Sequence, residues 1–191
     1  RRSFLKATGI TATGFVLGLQ WGCSPSKSTT PFSPHVYLTI NPDGTVMIVA
    51  HRQEMGTGIR TSLPLIIADE LEADWNKVKL IQAVGDEKKY GNQNTDGSFS
   101  VRMFFEPMRK AGASARMMLE QAAANRWKVD VSECKASNHE VVHSSGKKIG
   151  FGELTDDAAK LSAPKDEAIV LKKKSEWKYI GKHTKLYDVP D

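Results

Sequence analysis

The chain has 191 residues and carries 27 Lys and Arg against 22 Asp and Glu, which gives a formal net charge of +5. A content of 40% hydrophobic and 26% charged residues excludes a wholly disordered chain, a collagen-like fibre and a polytopic membrane protein. Two cysteines exclude a disulfide-stapled scaffold and a Cys-rich zinc or iron–sulfur site within this chain. The basic residues form no face with interleaved aromatic side chains, so nucleic acid is not an expected partner.

The N-terminal segment has the pattern of an export signal. A basic start, Arg-Arg-Ser-Phe-Leu-Lys, precedes a moderately apolar stretch over 7–22 that is too short and too polar to span a membrane. Paired arginines are typical of a twin-arginine signal, so we expect residues 1–23 to direct the chain to the periplasm, with membrane association left open. A linker rich in Pro, Ser and Thr is expected over 24–34.

Ordered structure is predicted to begin at His35. Alternating apolar residues indicate strands over 35–41 and 45–51, on either side of an Asn-Pro-Asp-Gly turn. Helical spacing of leucine and isoleucine then predicts a helix over 60–73, and a short strand is expected over 78–83.

The second half of the chain contains the longest predicted helix, over 100–127, after a polar loop over 85–97. Pro107 is expected to kink this helix or to restart it. The remaining predicted elements are short: a hairpin over 138–150, a helix over 151–161, and a strand with an extended, lysine-rich exit after 163. Strands and helices that alternate irregularly in this way indicate an α+β fold.

The segment His139-Glu140-Val141-Val142-His143 has the H-E-x-x-H pattern of zinc peptidases. That pattern binds zinc when both histidines share one helix face and the glutamate is the general base. Here the two valines and the following Ser-Ser-Gly-Lys turn favour a β-hairpin. Side chains four residues apart on a strand are separated by about 13 Å, too far for one zinc ion. A solvated hairpin is the preferred interpretation, and a zinc metallopeptidase is the minor alternative.

Two glycine-containing turns each open a predicted helix. One is Gly56-Thr57-Gly58, preceded by Glu54, and the other is Gly97-Ser98-Phe99-Ser100. Glycines at such turns let backbone N–H groups approach an anion, and a helix N-terminus adds about half a positive charge. Binding of a phosphate or of a ring's polar edge is one interpretation. Ordinary capping of the long helix by Ser98 or Ser100 is the other, and spacing alone favours it.

A resemblance to a known family joins these turns to other parts of the chain. The chain resembles the molybdopterin-binding subunit of the xanthine oxidase family, in the branch of the isoquinoline 1-oxidoreductase beta subunit and of periplasmic aldehyde dehydrogenases. The segments that carry this resemblance occur in the family's order: 49–64, 68–71, 93–102, 109–127, 151–154 and 180–190.

The resemblance implies a partial molybdopterin-binding domain over 35–163 and an extended connector over 164–191 that leads toward a hammerhead-like module absent from this chain. The implied cofactor is molybdenum on molybdopterin, in the cytosine dinucleotide form of bacterial members, shared with the remainder of the subunit. The residues that the motif assigns to cofactor binding are Gly56, Thr57, Gly58, Gly97, Ser98 and Ser100. Two positions depart from the family pattern, because Thr57 stands where many relatives have Gln and Asp96 stands where Gly is common.

The function implied by the resemblance is that of an N-terminal segment of a molybdenum hydroxylase, which oxidises an aldehyde or an N-heterocycle with water as the oxygen source. Its expected partners are the rest of the subunit and an iron–sulfur subunit, with a cytochrome c as a candidate electron acceptor. The family's catalytic glutamate belongs to a later motif that this sequence does not contain, so we expect no catalytic residue and no metal ligand here, and no catalysis by the segment alone. Glu54 is expected to be structural. An exported, non-catalytic binding module derived from the family is the alternative.

Overall fold

The computed structural model of the chain describes residues 31–189. The predicted export signal over 1–23 lies outside the described residues, as does most of the predicted linker over 24–34. Within the part that is described, no helix is both long and apolar enough to cross a membrane.

A four-stranded sheet forms one layer of the fold. Its strands, in spatial order, are β1 (Phe32–His35), β2 (Leu38–Ile40), β3 (Val46–Ala50) and β4 (Val78–Gln82). The first three are antiparallel, whereas β4 runs parallel to β3. Parallel neighbours need a crossover connection, and the helix between β3 and β4 provides it. The strands predicted over 45–51 and 78–83 are confirmed, whereas only Leu38–Ile40 of the strand predicted over 35–41 forms β2, because residues 36–37 are a turn. β1 begins within the predicted linker, because Phe32 is buried and pairs with Ile40.

Two long helices pack on each other and on this sheet. The helices are α1 (Ile59–Leu71), α2 (Glu87–Tyr90), α3 (Phe99–Trp127) and α4 (Thr155–Ala158). α1 lies against β3 and along α3, and almost all of its residues are buried. α3 continues without interruption through Pro107, so the expected restart does not occur.

A second, three-stranded antiparallel sheet packs against α3. It contains β5 (Cys134–Ser137), β6 (Glu140–His143) and β7 (Lys148–Gly150). β6 and β7 confirm the predicted hairpin, while β5 was not predicted. The short helix that was expected after the hairpin is confirmed as a 3₁₀ turn over Phe151–Leu154 followed by α4. Mixed helices and sheets confirm the α+β prediction.

The segment after α4 contains two 3₁₀ turns, at Asp166–Ala168 and Lys174–Glu176, and no strand up to residue 189. The strand predicted after residue 163 is therefore wrong. Backbone N–H groups of this segment donate to the carboxylates of Asp69 and Glu70 on α1 instead of to a neighbouring strand. The predicted connector thus packs back onto α1, and the predicted domain boundaries stay predictions.

Candidate functional site

The two glycine-containing turns line one cleft between the N-termini of α1 and α3. The cleft has a volume of about 420 Å³. Its lining is a mixture of apolar side chains, hydroxyls and one carboxylate, contributed by Met55, Thr57, Ile59, Ser62, Thr95, Asp96, Gly97, Ser98, Ser100 and Val101. The fold therefore brings together two segments that are about 40 residues apart in the sequence.

Four of the residues assigned by the family motif line the cleft: Thr57, Gly97, Ser98 and Ser100. Gly56 and Gly58 belong to the adjoining turn without lining the cleft. Gly58 stands at the start of α1 with a φ of 76°, and a Cβ there would lie 2.9 Å from Leu186. Gly58 therefore serves backbone conformation and close packing, and the cofactor-binding role of these residues stays a prediction.

The loop before α3 is fixed to the residues that follow β3. The side-chain amide of Gln93 donates to the carbonyl oxygens of His51 and Val84, at 3.1 and 3.0 Å. The hydroxyl of Thr95 donates to the carbonyl oxygen of Gln53 at 2.7 Å. These bonds join side chains of the loop to backbone at the end of the sheet, so the two walls of the cleft are held at a set separation.

The carboxylate of Glu54 caps the N-terminus of α1. Its Oε1 accepts the backbone N–H of Gly58 at 2.9 Å, and its Oε2 accepts that of Arg60 at 3.0 Å. Burial alone would raise the pKa of the Glu54 carboxyl, but the hydrogen bonds from the backbone N–H groups of Arg60 and Gly58 outweigh it and hold that pKa below its ordinary value. Glu54 is thus structural, as expected, and it takes the N–H groups that an external anion would need at α1.

Glu54→Gln is expected to lower the free energy of unfolding at pH 7 by about 1 kcal/mol, as the loss of a charged helix cap does. Because the pKa of Glu54 is lowered in the folded state, its contribution is present above the unfolded pKa and is lost as the pH falls through the folded pKa. Urea unfolding of wild type and Glu54→Gln at pH 7 and pH 3 measures this loss of stability. Glu167→Gln, at an exposed position, is the control. An equal effect of Glu54→Gln at both pH values would contradict the cap.

The N-terminus of α3 differs from that of α1 because no side chain caps it. Gly97 and Ser98 both have a left-handed backbone, with φ values of 51° and 57°. Ser98, at the cap position, makes no side-chain cap hydrogen bond, and the first turn contains no acidic residue. The Oγ of Ser100 accepts a hydrogen bond from Arg52 Nε at 3.1 Å. The capping interpretation is therefore wrong, and no serine side chain accepts the first backbone N–H groups of α3.

Arg52 is a buried residue of the site that the sequence analysis did not single out. Only 1% of its surface is exposed. Its Nη1 donates to the backbone oxygen and the side-chain oxygen of Asn92, and its guanidinium lies 5.1 Å from the centre of the Phe104 ring. Burial lowers the pKa of Arg52, while the charges of Asp96 and Glu87 act in the opposite direction. The sequence signal that could have identified Arg52 is its position directly after a strand that was predicted to be buried.

His51 precedes Arg52 and lies between two aromatic rings. Its ring is 4.9 Å from that of Tyr37 and 4.3 Å from that of Phe104. Neither ring nitrogen has a hydrogen-bond partner among the described residues. Burial, together with the positive charge of Arg52, lowers the pKa of His51 to about 4. His51 is therefore a neutral packing residue behind the cleft.

The pKa of His51 predicts a pH-dependent stability. The folded state holds His51 neutral down to about pH 4, whereas the unfolded chain takes up this proton below about pH 6.5. Stability is therefore complete above the unfolded pKa and falls by about 3 kcal/mol as the pH drops from 6.5 to 4. His51→Leu is expected to remove this part of the pH dependence of the unfolding free energy. The unfolding free energies of wild type and His51→Leu are measured by urea unfolding over this pH range. If both change with pH in the same way, His51 is not the cause of the pH dependence.

The two histidines of the H-E-x-x-H segment do not share a metal site. His139 is 3% exposed and stands before β6 with a φ of 73°. Its Nδ1 accepts the backbone N–H of Asp74 at 3.2 Å, so its Nε2 donates to the carbonyl oxygen of Gly44 at 2.6 Å. His143 instead bonds to Ser145 in the hairpin turn. Residues 31–189 contain no group of His, Cys, Asp and Glu that could hold a metal ion. The solvated-hairpin interpretation is wrong for His139, which is a buried structural residue.

Comparison with known proteins gives the chain a set of relatives. A family model described as molybdopterin cofactor-binding domain matches residues 2–188. The chain is 30% identical, over its whole length, to the isoquinoline 1-oxidoreductase beta chain of Brevundimonas diminuta. It is 36% identical over 83% of its length to the membrane-bound aldehyde dehydrogenase [pyrroloquinoline-quinone] of Gluconacetobacter polyoxogenes, and 30% identical over 81% to a nicotinate dehydrogenase subunit of Pseudomonas putida. It spans 30%, 21% and 13% of the lengths of these relatives.

Solved structures also match part of the chain. Quinoline 2-oxidoreductase from Pseudomonas putida 86 matches 62% of this chain with 19% identity and a TM-score of 0.48. CO dehydrogenase from Oligotropha carboxidovorans matches 61% with 18% identity and a TM-score of 0.49. Each match covers 15% of the solved chain.

Proposed function

The chain belongs to the molybdopterin cofactor-binding domain family, and from this membership we propose that its cleft binds part of the molybdopterin cofactor of a molybdenum hydroxylase subunit. The observation that carries the proposal is the contrast between two helix ends. Glu54 closes the N-terminus of α1, whereas no side chain caps the N-terminus of α3. A negatively charged group is therefore favoured at α3, on the side of the cleft formed by Gly97, Ser98 and Ser100.

The residues of the cleft fit a phosphate-bearing pterin cofactor. Arg52 has a buried Nη2 without a hydrogen-bond partner in the described region, and its positive charge favours an anion near Ser100. Apolar side chains at Met55 and Val101 offer contact area to a ring system. Asp96 is the opposing feature, because its carboxylate repels a phosphate in the same cleft. The bound cofactor would supply the redox chemistry.

This chain's own residues would bind and orient the cofactor. Thr57, Ser98 and Ser100 bring hydroxyl groups to the cleft, and a hydroxyl both donates and accepts hydrogen bonds. Gly97 allows the backbone to approach a ligand closely, since it has no side chain and adopts a left-handed φ. Thr57 is shorter than the glutamine that the family resemblance leads us to expect there, so its reach into the cleft is smaller.

We propose the finer features of the whole protein from the relatives and from the N-terminal pattern. Two relatives are named as subunits of an isoquinoline 1-oxidoreductase and of a nicotinate dehydrogenase, which supports an N-heterocycle as substrate, and a third is named as an aldehyde dehydrogenase. The cytosine dinucleotide form of the cofactor, an iron–sulfur subunit and a cytochrome c acceptor are proposed from the family resemblance. Export to the periplasm by the twin-arginine route is supported by the paired arginines at the start of the sequence.

Filling the cleft tests the proposal. Thr57→Trp places a large ring at an exposed, cleft-lining position, and it is expected to lower the molybdenum and pterin content of the full-length protein by about tenfold or more, since 1.4 kcal/mol of lost binding has that effect. Molybdenum is measured by elemental analysis and pterin by fluorescence, on protein purified from its native host. Lys147→Trp, on the exposed turn before β7, is the matched control and is expected to keep full cofactor content.

Two results would contradict the proposal. Unchanged molybdenum and pterin in Thr57→Trp would show that the cofactor does not use this cleft. A wild-type protein that holds neither molybdenum nor pterin would favour the alternative of a non-catalytic binding module derived from the family.

A further inference from the structure

We infer that Arg52 is a positioning residue of the cleft, which orients the hydroxyl of Ser100 and balances the charge of a phosphate group bound at the N-terminus of α3. The inference rests on the proposed function and adds to it a residue beyond those that the family motif assigned. The group whose charge Arg52 balances is the phosphate-bearing part of the cofactor.

The positive charge of Arg52 is buried without an ionic partner. Other buried charges in the described part of the fold are paired, since Asp69 contacts Lys172 at 2.7 Å and Glu70 contacts Arg109 at 2.7 Å. Arg52 is equally buried and forms no ion pair within residues 31–189. An unpaired buried charge is costly, and the carboxylates of Asp96 and Glu87 act on Arg52 only from beyond ion-pair distance. An anion bound in the cleft would offset this cost.

The unpaired nitrogen lies behind the wall of the cleft, since Arg52 does not itself line the cleft and contacts it through Ser100. Nε and Nη2 lie on the same edge of the planar guanidinium group. Because Nε donates to the Oγ of Ser100, the unpartnered Nη2 lies on the edge that faces Ser100. Ser100 in turn lines the cleft. The other nitrogen, Nη1, is used by Asn92.

The contact with Arg52 also decides what Ser100 can do. Arginine only donates hydrogen bonds, so Oγ of Ser100 must be the acceptor in this contact. The hydroxyl hydrogen of Ser100 is then left to donate to a ligand. A phosphate oxygen at the start of α3 would accept from this hydroxyl and from backbone N–H groups, with the guanidinium charge close by.

Binding of inorganic pyrophosphate to the cofactor-free, full-length protein tests the role of Arg52. Arg52→Met is expected to weaken binding, measured by calorimetric titration, by about tenfold or more, and Arg52→Lys by less because it keeps the charge. Lys147→Met is the control, since it removes one positive charge from an exposed turn that does not line the cleft. It is expected to bind pyrophosphate like the wild type.

A purely structural role of Arg52 would change the stability of the fold and not the affinity for pyrophosphate. It predicts a lower melting temperature for Arg52→Met, with no effect on binding to the fraction that is folded. Equal pyrophosphate affinity in wild type and Arg52→Met, equal losses in Arg52→Met and Lys147→Met, or no pyrophosphate binding by wild type would each overturn the inference. If Arg52→Met does not fold, Arg52→Lys, which keeps the charge and lacks the planar guanidinium edge, is expected to show the smaller loss of pyrophosphate affinity, and an affinity equal to that of wild type would then overturn the inference.

The role of Arg52 and the proposed function can fail independently in these experiments. Loss of molybdenum in Thr57→Trp with unchanged pyrophosphate binding in Arg52→Met would remove the role of Arg52 and leave the cofactor cleft in place. Full molybdenum in Thr57→Trp with weakened pyrophosphate binding in Arg52→Met would retain an anion site at Arg52 and reject the cofactor cleft.

Discussion

Asp69→Ala is expected to lower the free energy of unfolding by about 3–5 kcal/mol, the cost of breaking a buried ion pair by removing one partner. The carboxylate of Asp69 is fully buried. Its Oδ1 accepts from the Nζ of Lys172 at 2.7 Å. Its Oδ2 accepts three backbone N–H groups, from Lys178, Tyr179 and Ile180, at 3.0, 2.7 and 2.9 Å. One side chain on α1 therefore holds much of the segment that follows α4.

The loss is large because the partners cannot return to water. Without Asp69, the ammonium group of Lys172 keeps only Glu72 as an ionic partner among the described residues, at 2.7 Å, and buried donors without an acceptor each cost about 1–3 kcal/mol. Urea unfolding monitored by circular dichroism gives the change in free energy. Asp166→Ala is the control, because its carboxylate pairs with Lys110 at the exposed surface and is expected to contribute less than about 1 kcal/mol. Similar effects of the two substitutions would contradict the importance of this buried network.

Gly112→Ala is expected to destabilise the fold by about 1–3 kcal/mol, the range for overpacking, although alanine is the better helix former by about 1 kcal/mol. Gly112 lies in α3 where it crosses α1. A Cβ at this position would lie 2.5 Å from the carbonyl oxygen of Ile67 and 2.9 Å from the Cβ of Glu70. Neither atom can move away without shifting α1, because one is backbone and the other is next to it.

The matched control is Gly85→Ala. Nothing lies within 4 Å of the Cβ that it would add, and its φ is not in the left-handed region. It is expected to be neutral or slightly stabilising, by less than about 1 kcal/mol, because alanine restricts the unfolded chain. Thermal unfolding of both variants distinguishes the effects. A Gly112→Ala protein as stable as wild type would mean that α1 and α3 can separate without cost.

The local sequence pattern was sufficient to predict the regular helices and strands. The spacing of Leu63, Ile66 and Ile67 predicted α1, and all three are buried. Alternation in β3 predicted a strand with Val46 and Ile48 inside. These elements could be predicted because a residue's side of a helix or strand depends on its immediate neighbours in sequence.

The candidate site was only partly accessible to the same reasoning. The glycine turns and Ser98 and Ser100 were identified from sequence, and the structure places them at one cleft. Capping of α3 by a serine was the interpretation that spacing favoured, and it failed because the hydroxyl of Ser100 bonds to Arg52, which is 48 residues away. Arg52 itself carried no periodic signal.

The α+β class and the order of the main helices and strands could be predicted from the sequence, together with a family membership carried by separated motifs. Which polar groups meet depends on how the elements pack in three dimensions. Asp69 and Tyr179, separated by 110 residues, share a hydrogen bond, and the two walls of the cleft come from segments on either side of β4. The physical reason is that burial patterns are local, whereas the partner of a buried charge or N–H group is set by how whole elements pack.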